Sequence, residues 1–155
     1  MPRIDPGRKA PAFALPDQTG ALRRLSDFAG QTVVLFFYPK DDTPGCTAEA
    51  CSLRDHAAEL AREKAVVLGI SILDAKSKAK FARKFDLPYP LLADEDHAVA
   101  EKYGVWVEKS MYGRKYWGVA RVTYVIGPTG KVVHRFDEVD TARHAEEVLA
   151  VLSRA

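Results

Sequence analysis

Continuous apolar runs in the middle of the chain predict strands that are buried on both faces. Residues 33–38 and 65–71 are rich in β-branched and aromatic side chains, and both runs are too short for core helices. A shorter run at 89–93 predicts a third strand. Two more strands, at 121–126 and 131–136, flank a Gly-Pro-Thr-Gly segment that is typical of a hairpin turn.

Apolar residues that recur at alternating steps of four and three predict the first helix. Its apolar face consists of Cys46, Ala50, Leu53, Ala57 and Leu60, and the helix runs to about residue 63. Three further helices are predicted at 75–85, 96–103 and 142–152. Five basic side chains of the helix at 75–85 are interpreted as its solvated face: Lys76, Lys78, Lys80, Arg83 and Lys84.

The order of these elements predicts the fold class. A small hairpin from residues 13–15 and 22–25 comes first, and helices then alternate with doubly buried strands before a last hairpin and helix. This order is typical of an α/β protein, and the last hairpin makes the central sheet mixed. We expect a thioredoxin-like fold with helices flanking the sheet and an N-terminal β-hairpin. No internal repeat divides the chain, which predicts one domain over residues 1–155.

Composition and charge exclude several classes of partner. The chain has 155 residues, of which 47% are hydrophobic, and its net charge of +2 gives little electrostatic reason to bind nucleic acid. Residues 106–117 mix aromatic and basic side chains that could stack on nucleic acid, but the weak net charge favours a partly packed surface loop near the active site. The longest apolar run is too short to span a bilayer, so no membrane partner is expected.

The cysteine content predicts the compartment. Two cysteines do not build the disulfide framework of a small secreted protein, and no apolar signal segment follows the N-terminal charges. We therefore expect a reducing, cytoplasmic location, in which a close cysteine pair is more often catalytic or metal-binding than structural. The histidines show no metal-ligand spacing and are expected to face solvent or to bond locally: His56, His97, His134 and His144.

Cys46 is the candidate nucleophile because it falls in the first turn of a helix that follows a buried strand. Unpartnered amide N–H groups and the helix dipole favour a thiolate there. Thr43 has two interpretations, a hydroxyl that bridges the sulfur and its reaction partner, or a plain N-cap before Pro44. Arg121 begins an apolar strand and is either a second activating donor or an exposed strand-end residue.

Cys51 is the candidate partner thiol, at a spacing that an intact helix does not allow to close. Five residues correspond to about 7.5 Å of axial rise and roughly 140° of rotation. A disulfide needs Cα atoms within about 7 Å and converging Cβ vectors. A functional pair therefore requires the start of the helix to unwind, and the alternative is two unrelated helix cysteines of which one is inert.

The segment at 38–51 resembles the active-site signature of peroxiredoxins. Pro39-x-x-x-Thr43-x-x-Cys46 is similar to the signature of the whole family, and Cys46-x-x-x-x-Cys51 is similar to the peroxiredoxin Q or bacterioferritin comigratory protein group. The similarity extends over nearly the whole chain. It departs from the family after Ser71, where residues 72–74 and then Lys78 replace residues that the family often has, which affects expectations about substrate or reductant docking.

The resemblance implies a role for each matching residue. Cys46 is the peroxidatic and Cys51 the resolving cysteine, Pro39 shields the site, and Thr43 and Arg121 activate thiolate and peroxide. The side chain that matches a family position near the site, with a less defined role, is Glu49. The resemblance also implies hydroperoxide substrates, a thioredoxin-like reductant, no metal, haem or flavin cofactor, and a monomer in preference to a dimer.

Two other functions remain open from the residues. A thioredoxin-like disulfide oxidoreductase shares the fold, but the chain lacks Cys-x-x-Cys. A redox sensor or holdase that binds partner proteins would use the same pair of cysteines as a switch. Such a sensor would be oxidised at a comparable rate but would turn over slowly with any reductant.

Overall fold

The computed structural model describes residues 2–154, and its elements follow the predicted order apart from one further hairpin at 106–119. The strands are β1 (Ala14–Pro16), β2 (Leu22–Arg24), β3 (Thr32–Phe37), β4 (Ala65–Ser71), β5 (Leu91–Ala93), β6 (Trp106–Met111), β7 (Arg114–Val119), β8 (Val122–Ile126) and β9 (Val132–Phe136). The helices are α1 (Pro44–Asp55), α2 (Ala57–Arg62), α3 (Ala75–Phe85), α4 (Ala98–Lys102) and α5 (His144–Leu152), with short 3-10 turns at Leu25–Phe28 and Thr141–Arg143.

Five of the strands form a mixed sheet in the order β5-β4-β3-β8-β9. Strands β3, β4 and β5 are parallel, whereas β8 and β9 run antiparallel to their neighbours. The pairs β1–β2 and β6–β7 form separate hairpins. The predicted fold class, a mixed α/β sheet flanked by helices with an N-terminal hairpin, is confirmed.

Strand β3 divides the core because its side chains alternate between two faces of the sheet. Val34, Phe36 and Tyr38 face α1, α3 and α5, and Cys46 lies in the same apolar cluster. The opposite face packs against α4 and against Ala10 and Phe13 of the N-terminal segment. A side chain at Gly69 would place Cβ 2.8 Å from the ring of Phe36, so only glycine admits that ring against β4.

Three segments differ from the predicted elements. The helix predicted from 46 to about 63 breaks at His56, whose φ of −110° and ψ of 17° end α1 before α2 begins. The predicted helix at 96–103 is shorter, since His97 adopts a left-handed conformation with φ of 52°. The predicted loop at 106–117 is the hairpin β6–β7, whose largely exposed faces give no alternation of apolar and polar residues.

Helix α3 corrects one further prediction. Four of its five basic side chains are exposed, as expected, but Lys78 is completely buried. Its burial depends on polar partners from other parts of the chain, which a helical periodicity does not reveal. No helix within residues 2–154 is long and apolar enough to cross a membrane.

Candidate active site

Cys46 lies in the first turn of α1, which follows the buried strand β3 after the loop at 38–43. Thr43 is the N-cap residue with extended backbone angles, and Pro44 is the first helical residue. The carbonyl of Thr43 accepts the first helical hydrogen bond, from the amide of Thr47 at 2.8 Å. The amides of Gly45 and Cys46 precede that bond and belong to the unpartnered first turn. Only 1% of Cys46 is exposed.

Arg121 contacts the candidate nucleophile directly. One guanidinium nitrogen, Nη2, donates to Cys46 Sγ at 3.4 Å, and the other, Nη1, donates to Glu49 Oε1 at 2.8 Å. The antiparallel pairing of Val122 with Phe37 brings Arg121 to the end of β3 where the loop toward Cys46 begins. The interpretation of Arg121 as an exposed strand-end residue is therefore wrong, since the carboxyl group of Glu49 and the thiol lie beside it.

Gly45 allows this approach of the guanidinium. A Cβ atom at position 45 would lie 3.0 Å from Arg121 Nη2, closer than most side chains tolerate. A glycine in the first turn of a helix is otherwise unfavourable, because alanine is the better helix former by about 1 kcal/mol. The contact with Arg121 thus accounts for a glycine that helix propensity disfavours.

Glu49 lies one turn after Cys46 and is fully buried. Burial raises the pKa of its carboxyl group from 4.5 to about 7, although the positive charge of Arg121 and its hydrogen bond act in the opposite direction. Its second oxygen, Oε2, has no hydrogen-bond partner among the described residues. The carboxyl group therefore orients Arg121 and titrates near neutral pH.

His144 is a site residue that the sequence did not reveal. Its ring is completely buried, and Nε2 lies 2.8 Å from Thr123 Oγ1 and 3.7 Å from Glu49 Oε2. Its other nitrogen, Nδ1, lies 2.9 Å from a carboxylate oxygen of Glu147. Burial lowers the pKa of His144, while the contact with Glu147 opposes this effect. The sequence prediction allowed local bonding but not burial beside the site.

Thr43 and Pro39 lie close to Cys46 along the chain, but the structure shows neither of the contacts with the helix start or the thiol that were predicted for Thr43. The hydroxyl of Thr43 donates to the carbonyl of Lys40 at 3.0 Å, and its oxygen accepts no capping hydrogen bond from the helix. Thr43 and Pro39 are both half-buried. The predicted contact of the hydroxyl with Cys46 is not present among the hydrogen bonds of the described residues.

Cys51 lies on the same uninterrupted helix as Cys46, and both thiols are free. Cys51 is partly exposed, and burial raises its pKa, with Asp55 adding to this effect and Arg54 opposing it. Since the helix is intact between them, the two cysteines are separated as the five-residue spacing predicts.

Lys109 brings a second positive charge near the site from the hairpin β6–β7. Its Nζ donates to the carbonyl of Val119 at 2.5 Å. Burial and the neighbouring charge of Arg121 lower the pKa of Lys109, whereas interaction with Cys46 raises it. No sequence signal distinguished Lys109 from the other basic residues. Within residues 2–154, no group of three or more acidic, histidine or cysteine side chains is arranged to hold a metal ion.

The site combines a buried thiol at the start of a helix with an arginine that bonds both the thiol and a glutamate. On a mixed α/β sheet, this combination indicates a protein that reacts through a cysteine. Residues 6–135 match the AhpC/TSA family, and the chain belongs to that family. It is 46% identical over 149 residues to peroxiredoxin Bcp of Escherichia coli (strain K12), with 96% of each chain covered. The predicted resemblance to the peroxiredoxin Q or bacterioferritin comigratory protein group is confirmed.

Solved structures agree with this assignment. Peroxidoxin BcpB from Mycobacterium tuberculosis is 41% identical with a TM-score of 0.87, and the match covers 98% of both chains. The bacterioferritin comigratory protein of Xanthomonas campestris is 35% identical with a TM-score of 0.89, over 97% of this chain and 98% of that chain. The structures of the Xanthomonas protein concern its alkyl peroxide reduction activity and a trapped intermediate/ligand complex.

Proposed function

We propose that this chain is a thiol peroxidase that reduces hydrogen peroxide and organic hydroperoxides through Cys46. The observation that carries the proposal is the donation from Arg121 Nη2 to Cys46 Sγ at 3.4 Å, at the start of a helix. The guanidinium and the helix start both favour the thiolate, which is the nucleophilic form of cysteine. Membership of the peroxiredoxin class and the activity of the Xanthomonas relative support the same reaction.

In the first step, the Cys46 thiolate attacks the terminal oxygen of the hydroperoxide. A sulfur–oxygen bond forms while the oxygen–oxygen bond breaks, so that sulfur is oxidised to sulfenic acid and the leaving oxygen departs as water or an alcohol after protonation. A larger thiolate fraction lowers the activation free energy of this step by about 2 kcal/mol at most. The donors must therefore also stabilise the charge that develops on the leaving oxygen. Arg121, which contacts Cys46 Sγ, is proposed as the first donor, and Thr43 as the second.

In the second step, Cys51 condenses with the sulfenic acid. The Cys51 thiol loses a proton, its sulfur bonds to Cys46 Sγ, and water leaves, which gives an intramolecular disulfide. The intact α1 holds the two sulfurs apart, so its first turns must unwind before this bond forms. The reduced enzyme would thus have a helical site and the oxidised enzyme a locally unwound one.

An external dithiol completes the cycle by reducing the Cys46–Cys51 disulfide through thiol–disulfide exchange, which leaves the dithiol oxidised. By resemblance to its relatives, we propose a thioredoxin-like protein as that reductant, acting in the cytoplasm on a monomeric enzyme. The reaction uses the two cysteines as its only redox groups. The proposed domain is the whole chain, residues 1–155, and Pro39 is proposed to shield the thiolate from solvent.

The proposed cycle is tested by peroxide consumption with a thioredoxin system. Wild type, Cys46→Ser and Cys51→Ser would be compared with hydrogen peroxide and with an organic hydroperoxide. We expect no consumption by Cys46→Ser and loss of dithiol-linked turnover in Cys51→Ser, with one oxidation of Cys46 retained. If Cys46→Ser consumed peroxide as fast as wild type, the peroxidase assignment would be wrong. Full dithiol-linked turnover by Cys51→Ser would contradict a disulfide between Cys46 and Cys51 of the same chain. The same conclusion would follow if oxidised wild type were found only as a disulfide-linked dimer.

A further inference from the structure

Lys78 is a completely buried lysine on α3 that the proposed cycle does not use. Its Nζ donates to Ser71 Oγ at 2.6 Å and lies 3.4 Å from both carboxylate oxygens of Asp41. The ammonium group also lies 5.4 Å from the centre of the Tyr38 ring. Burial lowers the pKa of Lys78, and the negative charge of Asp41 opposes that effect.

Asp41 is the residue through which Lys78 reaches the active site. It lies in the thiol loop, the segment 38–43 between β3 and α1 that leads to Cys46. Its carboxylate accepts from the Tyr38 hydroxyl at 2.5 Å and from Ser77 Oγ at 2.7 Å, besides the contacts with Lys78. The next residue, Asp42, has a left-handed backbone with φ of 58°. Asp41 therefore ties the loop to α3 inside the protein, while a bond from Lys84 Nζ to Asp42 Oδ2 at 2.9 Å ties it at the surface.

A buried ion pair is seldom the most stable choice for such a contact. Removing two charges from water often costs more than their attraction returns, and well-packed apolar side chains would serve stability as well or better. What the pair supplies is one defined geometry for the loop, because a charged, multiply bonded carboxylate has few alternative positions. The loop in turn determines where the start of α1 and Cys46 lie relative to Arg121.

We propose that Lys78 is a positioning residue for the peroxidase step, which acts through Asp41 to hold the thiol loop and the start of α1 in the helical, peroxide-reactive arrangement. The inference rests on the proposed function above and adds a residue to it. Asp41 is the fixed end of the segment that unwinds, so that Cys46 moves while residues before Asp42 stay in place. Lys78 thereby biases the enzyme toward the helical site.

This bias determines the fate of the sulfenic acid. In the helical site, Cys46 sulfenate can attack a second hydroperoxide, which oxidises it to sulfinic acid and releases water or an alcohol. In the unwound site it condenses with Cys51 instead, releasing water. Loss of the Lys78 contact would therefore slow the reaction with peroxide and also lower the fraction of Cys46 that becomes sulfinic acid. A loss of global stability that leaves the site folded under the assay conditions would not produce this pair of effects.

The experiment compares wild type with Lys78→Met, Asp41→Asn and the double variant, each as the reduced full-length protein. Lys80→Met is the matched control, because Lys80 is exposed on the same helix. Stopped-flow mixing with hydrogen peroxide gives the rate constant of Cys46 oxidation, and intact-protein mass spectrometry gives the ratio of sulfinic acid to disulfide. For Lys78→Met we expect a rate constant about tenfold lower, as for a slightly misplaced reacting group, and a lower sulfinic fraction. Lys80→Met should match wild type.

The double variant separates positioning from instability. If Lys78 acts through Asp41, the double variant should show the same reduced rate and sulfinic fraction as Asp41→Asn alone. The double variant leaves no unpaired buried charge. If Lys78→Met does not fold, the test therefore rests on the double variant and Asp41→Asn. An unchanged sulfinic fraction in these variants, or a further effect of Lys78→Met on top of Asp41→Asn, would overturn the proposal. Wild type that consumed no peroxide would instead refute the proposed function.

Discussion

Glu49 provides a prediction whose magnitude follows from burial. Its carboxyl pKa is raised from 4.5 to about 7 because the side chain is fully buried, despite the bond from Arg121. Each pKa unit corresponds to about 1.4 kcal/mol. With Glu49 ionised, the free energy of unfolding is therefore about 3 kcal/mol lower than with Glu49 protonated. Glu49→Gln replaces the carboxyl group with a neutral amide of the same shape. The variant should escape this cost.

The folded protein binds the Glu49 proton more tightly than the unfolded chain does. The stability that comes from this proton is fully present below pH 4.5 and is lost as the pH rises to about 7. His144 acts in the opposite direction over part of that range, because burial lowers its pKa and folding then disfavours its protonated form. Wild type alone would therefore show a partly cancelled pH dependence. The difference between wild type and Glu49→Gln removes most of the histidine contribution, which both proteins share.

Urea unfolding of the reduced proteins at a series of pH values from 4.5 to 8 measures this difference. We expect the free energy of unfolding of Glu49→Gln, relative to wild type, to increase by about 3 kcal/mol across the range and to level off above pH 7. An exposed control, Glu59→Gln on α2, should show no such change. If the difference between Glu49→Gln and wild type were the same at pH 5 and pH 8, the buried carboxyl group would not titrate there and the reasoning would be refuted.

Two further substitutions test the geometry around the thiol. Arg121→Lys keeps the positive charge but cannot bond both Cys46 and Glu49 with one planar group. The rate constant for oxidation of Cys46 by hydrogen peroxide, measured by stopped flow, should therefore fall on the order of 100-fold. An unchanged rate constant would contradict the role of Arg121. Gly45→Ala should raise the free energy of unfolding by up to about 1 kcal/mol through helix propensity while slowing peroxide reduction, because the new methyl group displaces the guanidinium. A Gly45→Ala enzyme as fast as wild type would show that the close approach of Arg121 is not required.

The local features of the site could be predicted because they depend on residues close together in the chain. The apolar run at 33–38 predicts the buried strand, and the four-and-three spacing after Cys46 predicts the helix whose first turn holds the thiol. The spacing of Cys46 and Cys51 alone predicts that an intact helix keeps them apart. The prediction did not find the break at His56, since the apolar spacing continues across it while the backbone does not.

The contacts that complete the site are decided by the tertiary structure. Arg121 reaches Cys46 only because β8 pairs with β3 in one register, which places residues 75 positions apart within 3.4 Å. His144 and Lys78 were expected at the surface or in local bonds, but both are buried beside partners from other segments, Thr123 and Asp41 respectively. A polar side chain enters the core only where the rest of the fold supplies its hydrogen bonds and opposite charges. Periodicity along the chain carries the tendency to form a helix or strand, but it carries no record of those partners.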